Sequence, residues 1–350
     1  MSAPLYPAGN GIFLAIESSC DETAAAITEN GRRVLSSEIN SQIDIHTLYG
    51  GVVPELASRN HIQAVQQLAD LAVRDAGVAK KDIDAVAVTY APGLIGAVLV
   101  GVSFAKSAAM ALGVPIVPVH HIRGHIAANY LAYPELEPPF ACLVASGGSS
   151  LIVDVRGYTD FHVLGSTRDD AAGECFDKAA RVLGIGYPGG AQIDALAKTG
   201  DPMKYRLPRS KFDANPYDMS FSGLKTAVVN LAHNAKQAGE TLDLPSLAAS
   251  LCRAVSDTLV SRAVDAAAEL GYGKLAIAGG VAANSVIRGA LQTEAEKRGI
   301  RTYLAPLCYC GDNAAMIGCQ GYYEYLAGVR GTTMLNAYAT MSADSALCHI

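Results

Sequence analysis

The chain has no tryptophan, few charges and no apolar run long enough to cross a bilayer. Of its 350 residues 17% are charged and 50% hydrophobic, and 34 are glycine. So much apolar material excludes a disordered chain and indicates one large or two medium domains with close backbone packing in glycine-rich loops. The formal net charge of -6 argues against a protein that grips nucleic acid unaided through a broad basic face. The apolar run Leu94 to Phe104 is short for a membrane span, and Lys106 follows it. Met1 to Asn10 lacks the basic start and apolar core of a secretory signal. Cys20, Cys142, Cys175, Cys252, Cys308, Cys310, Cys319 and Cys348 include no C-x-x-C pair, which reads as reduced thiols in a soluble, cytoplasmic protein. There is no Gly-x-x-x-x-Gly-Lys-Ser/Thr loop, which excludes a P-loop enzyme, and no His-Glu-x-x-His, which disfavours a metalloprotease.

What is present falls into a repeated order. Apolar runs Ile12 to Ile16, Ala24 to Thr28 and Val34 to Ile39 predict three strands, with a polar loop carrying Asp21 and a turn at Asn30-Gly31. A helix follows over Glu55 to Ala76, then strand (Ala85 to Thr89), loop, helix (Ile95 to Leu112), cap (Gly113) and strand (Ile116 to Val119). The second half repeats the plan. Strands are expected at Ala141 to Ala145, Leu151 to Val155 and Phe161 to Leu164, and later a strand at Leu275 to Ala278, a helix at Val286 to Arg298 and a strand at Thr302 to Ala305. Helices at Cys175 to Leu183, Gln192 to Lys198 and Ala248 to Leu270 lie between them. Alternating strands and helices imply largely parallel sheets covered on both faces. A duplicated meander followed by strand-helix-strand is the shape of the actin, sugar kinase and heat-shock ATPase architecture, which binds nucleotide between two lobes. The expected division is an N-terminal lobe over 10–120, a C-terminal lobe over 121–330 with helical insertions at about 166–260, and a tail over 331–350.

Chemistry concentrates at His121-Ile122-Arg123-Gly124-His125. Histidines four apart share one helix face, so both imidazoles can reach one cation; a polar face is the plain alternative. Asp312, between a strand and a helix, is the best third ligand, and two imidazoles with one carboxylate leave positions open for substrate. Gly147-Gly148 after a strand lets backbone N–H groups approach a phosphate, though any sheet turn can use two glycines. Gly279-Gly280 with Asn284 at a helix start suits a base, ribose or anion. Asp177 and Asp194, placed near the starts of their helices, are either caps or ribose ligands. Asp21 is expected in the cleft. Lys204 to Lys211 is basic and proline-broken, a solvated loop or an RNA contact.

Together the blocks Ile16 to Thr23, Tyr49 to Arg59, Ala91 to Leu94, His120 to His125, Ser146 to Gly148, Asp169 to Lys178, Tyr187 to Gly190, Ser220 to Thr226, Gly279 to Asn284 and Asp312 to Ile317 resemble the bacterial TsaD family. These are the tRNA adenosine N6-threonylcarbamoyltransferases, formerly labelled O-sialoglycoprotein endopeptidases, and the likeness runs from about residue 12 to 320. The resemblance implies an α/β, two-lobed actin-like ATPase fold, a duplicated ribonuclease H-like architecture with a nucleotide and metal cleft between its lobes. It implies metal ligands at His121, His125 and Asp312, with iron (Fe2+) or zinc expected. It implies substrate binding at Val144, Ala145, Ser146, Gly147, Gly148, Asp177, Gly190, Asp194 and Asn284, with Asp21 as a catalytic group orienting the attacking amine. The implied reaction moves threonylcarbamoyl from threonylcarbamoyl-AMP to N6 of the adenosine beside the anticodon in tRNAs reading ANN codons. The implied partners are a TsaB-like paralogue and a TsaE-like P-loop ATPase, with no membrane involved; the apolar face of helix Glu55 to Ala76 makes it the candidate element for docking the paralogue. Two positions depart from the family pattern: the usual His-Met-Glu-Gly-His carries Arg123, and the usual Ser-Gly-Gly-His-Thr carries Ser149 and Ser150. A small-molecule kinase of the same fold and a nucleotide-binding scaffold without chemistry are the competing classes.

Overall fold

The computed structural model describes residues 11–210, 212 and 214–345. The first half contains β1 (Ile12–Glu17), β2 (Glu22–Glu29), β3 (Arg33–Ser41), a short α1 (Ile43–Thr47), α2 (Pro54–Ala76), β4 (Ala85–Ala91), α3 (Ile95–Leu112) and β5 (Ile116–His120). Its sheet has the order β3-β2-β1-β4-β5. After α4 (His121–Ala132) come β6 (Phe140–Ala145), β7 (Ser150–Val155), β8 (Phe161–Ser166), α5 (Ala172–Val182), α6 (Gly189–Ala197), α7 (Ser222–Ala238), α8 (Leu244–Glu269), β9 (Lys274–Ala278), α9 (Ser285–Glu296), β10 (Arg301–Leu304) and α10 (Ala314–Leu326). The second sheet, read as β8-β7-β6-β9-β10, repeats the first strand for strand.

Each sheet is mixed rather than largely parallel. The first three strands of each half pair antiparallel, and the fourth and fifth join in parallel. Connection length decides this: the turn at Asn30-Gly31 is too short for a crossover, whereas α2, α3 and α9 are long enough. Asn30 at φ 51° and Gly31 at φ 68° take the left-handed conformations that a tight hairpin demands.

The central strands β1 and β6 are wholly buried. In β1, Ile12, Leu14 and Ile16 join the core under α2 and α3, while Phe13 and Ala15 face α10. In β6, Leu143 and Ala145 meet the α8 core, while Phe140, Cys142 and Val144 meet Ile122 and Ile126 of α4. This two-residue alternation with both faces covered explains why the strands read as unbroken apolar runs.

Helices α4 and α10 pack on each other between the two sheets. A β-carbon on Gly124 would stand 2.7 Å from Ile317 Cδ1, so the glycine between the two histidines lets α10 approach. That approach brings the residue preceding α10's cap, Asp312, to the histidines. Although late in the chain, α10 lies on the first sheet, and the segment after it returns to β5, where Gly331 bridges Ile116. Helix α3 extends the predicted run to 18 residues, mostly apolar but for Ser103, Lys106 and Ser107. It buries Val98, Val102 and Ala105 and leaves Ile95, Leu99 and Met110 exposed. The seven described cysteines are unpaired.

Candidate functional site

His121 and His125 stand on the first two turns of α4, with ring centroids 4.5 Å apart. Asp312 reaches them from the loop before α10. Its Oδ1 lies 3.5 Å from His121 Nε2 and 3.1 Å from His125 Nε2, and the three ligand atoms fall within 4.8 Å of one another. Donors each about 2.1 Å from one ion, at angles near 90–110°, are separated by about 3.0–3.4 Å, so both Asp312–histidine separations suit a single cation, and the set, within 4.8 Å overall, closes on one ion with a small shift of the imidazoles. Burial gives a second sign. His125 is fully buried, yet neither ring nitrogen makes a hydrogen bond. Its Nε2 lone pair converges with Asp312 on one point, and a cation satisfies both.

Electrostatics agree with this reading. Burial lowers the pKa of His121, but Asp312 and Glu17 overcome it and raise it to about 9. Burial opposes charge on Asp312 as well, yet the two histidines hold its carboxyl down at about 2. Each group keeps its charge only through the others, as expected where a cation is to be exchanged for a proton.

Glu17 was not singled out by the sequence reading. It ends β1 with no exposure, accepts from Ser19 N (2.5 Å) and Thr89 Oγ1 (2.5 Å), and faces His121 Nδ1 at 3.2 Å. Ser19 Oγ adds a contact to the same nitrogen at 3.1 Å. Holding Nδ1 leaves the Nε2 lone pair aimed at Asp312, the usual device for orienting a ligating imidazole. Its signal in the sequence is an acid completing an otherwise apolar central strand. Glu22 belongs to the same group: burial, then Asp312 and Asp21, push its pKa up to about 9.

Asp21 is buried in the β1–β2 loop and accepts from Tyr187 Oη at 3.4 Å, a contact between the two halves. Beyond Tyr187 lies a cavity of about 390 Å³ lined in part by Gly147, Phe176, Asp177, Gly190, Asp194 and Asn284. These six, five of them predicted substrate positions, therefore share one wall system. Gly147 and Gly148 border open space where a side chain would stand. Gly279, at φ 93°, abuts Ala145, where an added β-carbon would come 2.3 Å from the carbonyl oxygen. Ser146 closes the loop through Ser149, its N–H donating to Ser149 O at 2.7 Å. Val144 and Ala145 are fully buried within β6 and reach the cleft only through the chain that continues from them.

The two aspartates differ from the expectation that they begin their own helices. Asp177 lies within α5 and Asp194 within α6. Each instead caps the next helix in the cavity wall: Asp177 Oδ1 accepts from Gly189 N at 2.8 Å, and Asp194 Oδ1 from Ser285 N at 2.9 Å and Ser285 Oγ at 2.8 Å. Asn284 also caps α9, through Val286 N and Ile287 N. Capping uses part of each carboxylate, whose four lone-pair sites leave room for a ligand hydroxyl. The 169–178 and 220–226 blocks meet as structure: Asp169 caps α7 and Asp170 pairs with Lys178 and Lys225. Arg123, opposite the histidines, points away from the cleft, and Ser150 Oγ accepts from Ala172 N at the start of α5.

A model of the family described as TsaD, tRNA N6-adenosine threonylcarbamoyltransferase, matches residues 33–319. The enzyme of that name from Clostridium botulinum (strain 657 / Type Ba4) is 49% identical over 325 residues, 93% of this chain and 96% of the relative. Its namesake from Clostridium perfringens (strain ATCC 13124) is 51% identical over 326 residues, with the same coverage of 93% and 96%. Among solved structures, component A of (R)-2-hydroxyglutaryl-CoA dehydratase from Acidaminococcus fermentans matches at TM-score 0.50 and 16% identity, over 90% of this chain and 99% of that one. Full-length HypF in its phosphate- and nucleotide-bound form matches at TM-score 0.59 and 14% identity, over 90% of this chain and 46% of that one. At such identities the structural likeness shows the fold alone: two-lobed, α/β and actin-like. The chain belongs to the TsaD family of tRNA N6-adenosine threonylcarbamoyltransferases, transferases that modify tRNA.

Proposed function

We propose that the chain transfers threonylcarbamoyl from threonylcarbamoyl-AMP to N6 of the adenosine beside the anticodon in tRNAs reading ANN codons, assisted by one divalent metal held by His121, His125 and Asp312. The convergence of those three ligand atoms within 4.8 Å carries this reading, and a cavity lined by five of the implied substrate positions supports it. Two imidazoles and one carboxylate favour iron (Fe2+), with zinc the alternative. When bound, the ion supplies positive charge against the oxygens of the donor.

The residues of the chain do the rest. The glycine loop at 147–148 offers backbone N–H groups to the donor phosphate, and the walls at Phe176, Gly190 and Asn284 receive the nucleoside. Asp177 and Asp194 offer acceptors to ribose hydroxyls. Asp21, held by Tyr187, accepts a hydrogen bond from the attacking amine and aligns its lone pair with the carbamoyl carbon. Glu17 keeps His121 in the tautomer that presents Nε2. Glu17→Gln is therefore expected to weaken metal retention by about 10–100-fold, the usual cost of losing such a partner. Metal content after dialysis against a graded chelator measures this, and retention equal to wild type contradicts the role.

The acidic net charge, -6, suits an enzyme that shares tRNA binding with a TsaB-like paralogue and a TsaE-like P-loop ATPase in the cytoplasm, away from membranes. Ile62 on α2 is 64% exposed, and Ile95 and Leu99 on the adjoining α3 are 51% and 47% exposed. A β-carbon on Gly96 would meet Ser58 Oγ at 2.6 Å, which marks where the two helices cross. This apolar face is the proposed paralogue dock. Val65 is only 4% exposed and belongs to the core, so it is excluded from the test. Ile62→Asp with Leu99→Asp is expected to weaken association with the paralogue at least about tenfold in calorimetric titration, since two apolar anchors become charges. Unchanged association removes this face as the dock. The function itself is tested by reconstitution with tRNA, both partners, ATP and preformed threonylcarbamoyl-AMP: modified adenosine and free AMP appear together if the reading is right, and an unmodified tRNA rejects it.

A further inference from the structure

Arg123 lies between the two proposed metal ligands in sequence but, at ~100° per residue, about 200° round α4 from His121. It is 3% exposed, and its guanidinium is used on every side. Nε donates to Ala343 O at 2.9 Å, Nη2 to Ser345 O at 2.6 Å and Nη1 to Glu324 Oε1 at 3.0 Å, while the plane sits 4.8 Å from the Phe161 ring centre. Glu324 is itself buried and takes a second hydrogen bond from Gln320 Nε2 at 2.9 Å. A buried cation so fully committed to two carbonyls of the C-terminal segment is a clamp.

Among its described residues, 331–345, the clamped segment forms no helix and one bridge, at Gly331, so its backbone groups turn to the body of the protein. Lys106 Nζ donates to Leu335 O, Tyr338 N to Tyr90 O, and Gly93 N to Ala339 O. His120, the N-cap of α4, sits between Met341 O, 3.3 Å from its Nε2, and Ile122 N, which donates to its Nδ1 at 3.2 Å. One tautomer satisfies both: Nε2–H toward the segment and an Nδ1 lone pair toward the helix. The segment thus touches the residue before His121 through His120 and the residue two after it through Arg123.

We infer that Arg123 is a positioning residue for the metal centre: by pinning the C-terminal segment at Ala343 and Ser345 it holds the first turn of α4, and His121 with it, in the geometry that retains the ion. The inference rests on the metal reading above. It also gives a role to the arginine that replaces the acid of the family pattern.

The test uses the full chain loaded with Zn2+ and follows release of the metal into excess chromophoric chelator. Arg123→Met alone strands the Glu324 carboxyl and can fail to fold, so the working variant is Arg123→Met with Glu324→Met, which exchanges the buried pair for two apolar side chains. A chain truncated after Ser342 removes the acceptors and leaves the pair. Both are expected to release zinc about 10–100-fold faster than wild type, with melting temperatures of the metal-free proteins close to wild type. Combining them is expected to be no faster than either alone, because both act through one contact. Zinc release as slow as wild type in the folded double variant and in the truncated chain overturns the clamp. So does acceleration that simply multiplies in the combination. Wild type that takes up no zinc overturns the metal reading and the clamp with it, whereas zinc lost by His125→Ala but kept by the clamp variants overturns the clamp alone.

Discussion

His125→Ala is expected to lose bound metal and threonylcarbamoyl transfer together, with transfer falling at least about 10³-fold, roughly 4 kcal/mol of transition-state stabilisation. The fold survives this change because Asp312, which loses His125 at 3.1 Å, still faces His121 at 3.5 Å, so its carboxylate keeps one cationic neighbour. What remains is a small buried cavity beside Asp312, at a cost of about 2 kcal/mol. Asp312→Ala is harsher on the protein, because it removes the carboxylate that faces His121 as well as His125. Elemental analysis and the reconstituted modification assay on the same preparation measure both quantities. If metal-free His125→Ala modifies tRNA within tenfold of wild type, the ion has no part in the chemistry. The cleft then serves as a nucleotide pocket alone.

Reading the chain by pattern works where the physics is local. The hairpin at Asn30-Gly31 announces itself because two adjacent residues must take positive φ, and β1 and β6 stand out because burial on both faces removes every polar position but the last of β1. The histidine pair is legible because four residues make one helical turn. Other features depend on partners far along the chain. Glu17 meets His121 across 104 residues and Asp194 meets Ser285 across 91, so an acid ending a strand and an acid within a helix give no local sign of what they hold. Asp177 and Asp194 were expected as caps or ribose ligands, and as caps they serve helices other than their own. Arg123 reads as an anomaly between two ligands until its contacts 220 and 222 residues away are seen. The mixed sheets follow the same rule in reverse, since short turns settled strand direction more firmly than the general strand-helix alternation did.

Arg32→Ala is expected to destabilise the protein by about 3 kcal/mol while leaving its metal content intact. Arg32 sits in the β2–β3 turn of the first sheet and reaches the far end of α4. Its Nη1 donates to Tyr130 O, Tyr133 O and Pro134 O at 3.2, 3.3 and 3.2 Å, and Nη2 to Leu136 O at 3.1 Å. Its Nε donates to Tyr323 Oη of α10 at 2.6 Å, and Nη2 also meets Tyr158 Oη of the β7–β8 turn at 3.2 Å. Carbonyls at a helix C-terminus lack intrahelical partners and carry partial negative charge, so a cation there satisfies donors and dipole together. The stack of Tyr158 on Tyr323, with centroids 4.1 Å apart, and the Tyr130 ring 4.9 Å from the guanidinium complete the enclosure. One side chain from the first sheet therefore fastens α4, α10 and a hairpin of the second sheet. Charged hydrogen bonds contribute about 1.5–3 kcal/mol each but not additively, and ~3 kcal/mol is a modest total for six of them. At ~2.1 cal/mol/K of unfolding entropy per residue, that loss over 350 residues lowers the melting temperature by about 4 °C. Calorimetry of Arg32→Ala and Arg32→Lys measures it, with lysine recovering about half because it lacks the planar fork. An unchanged melting temperature in the alanine variant rejects the fastening role. Because the ligands occupy the opposite end of α4, lost zinc in this variant instead places the hold on His121 in the whole helix rather than in its first turn.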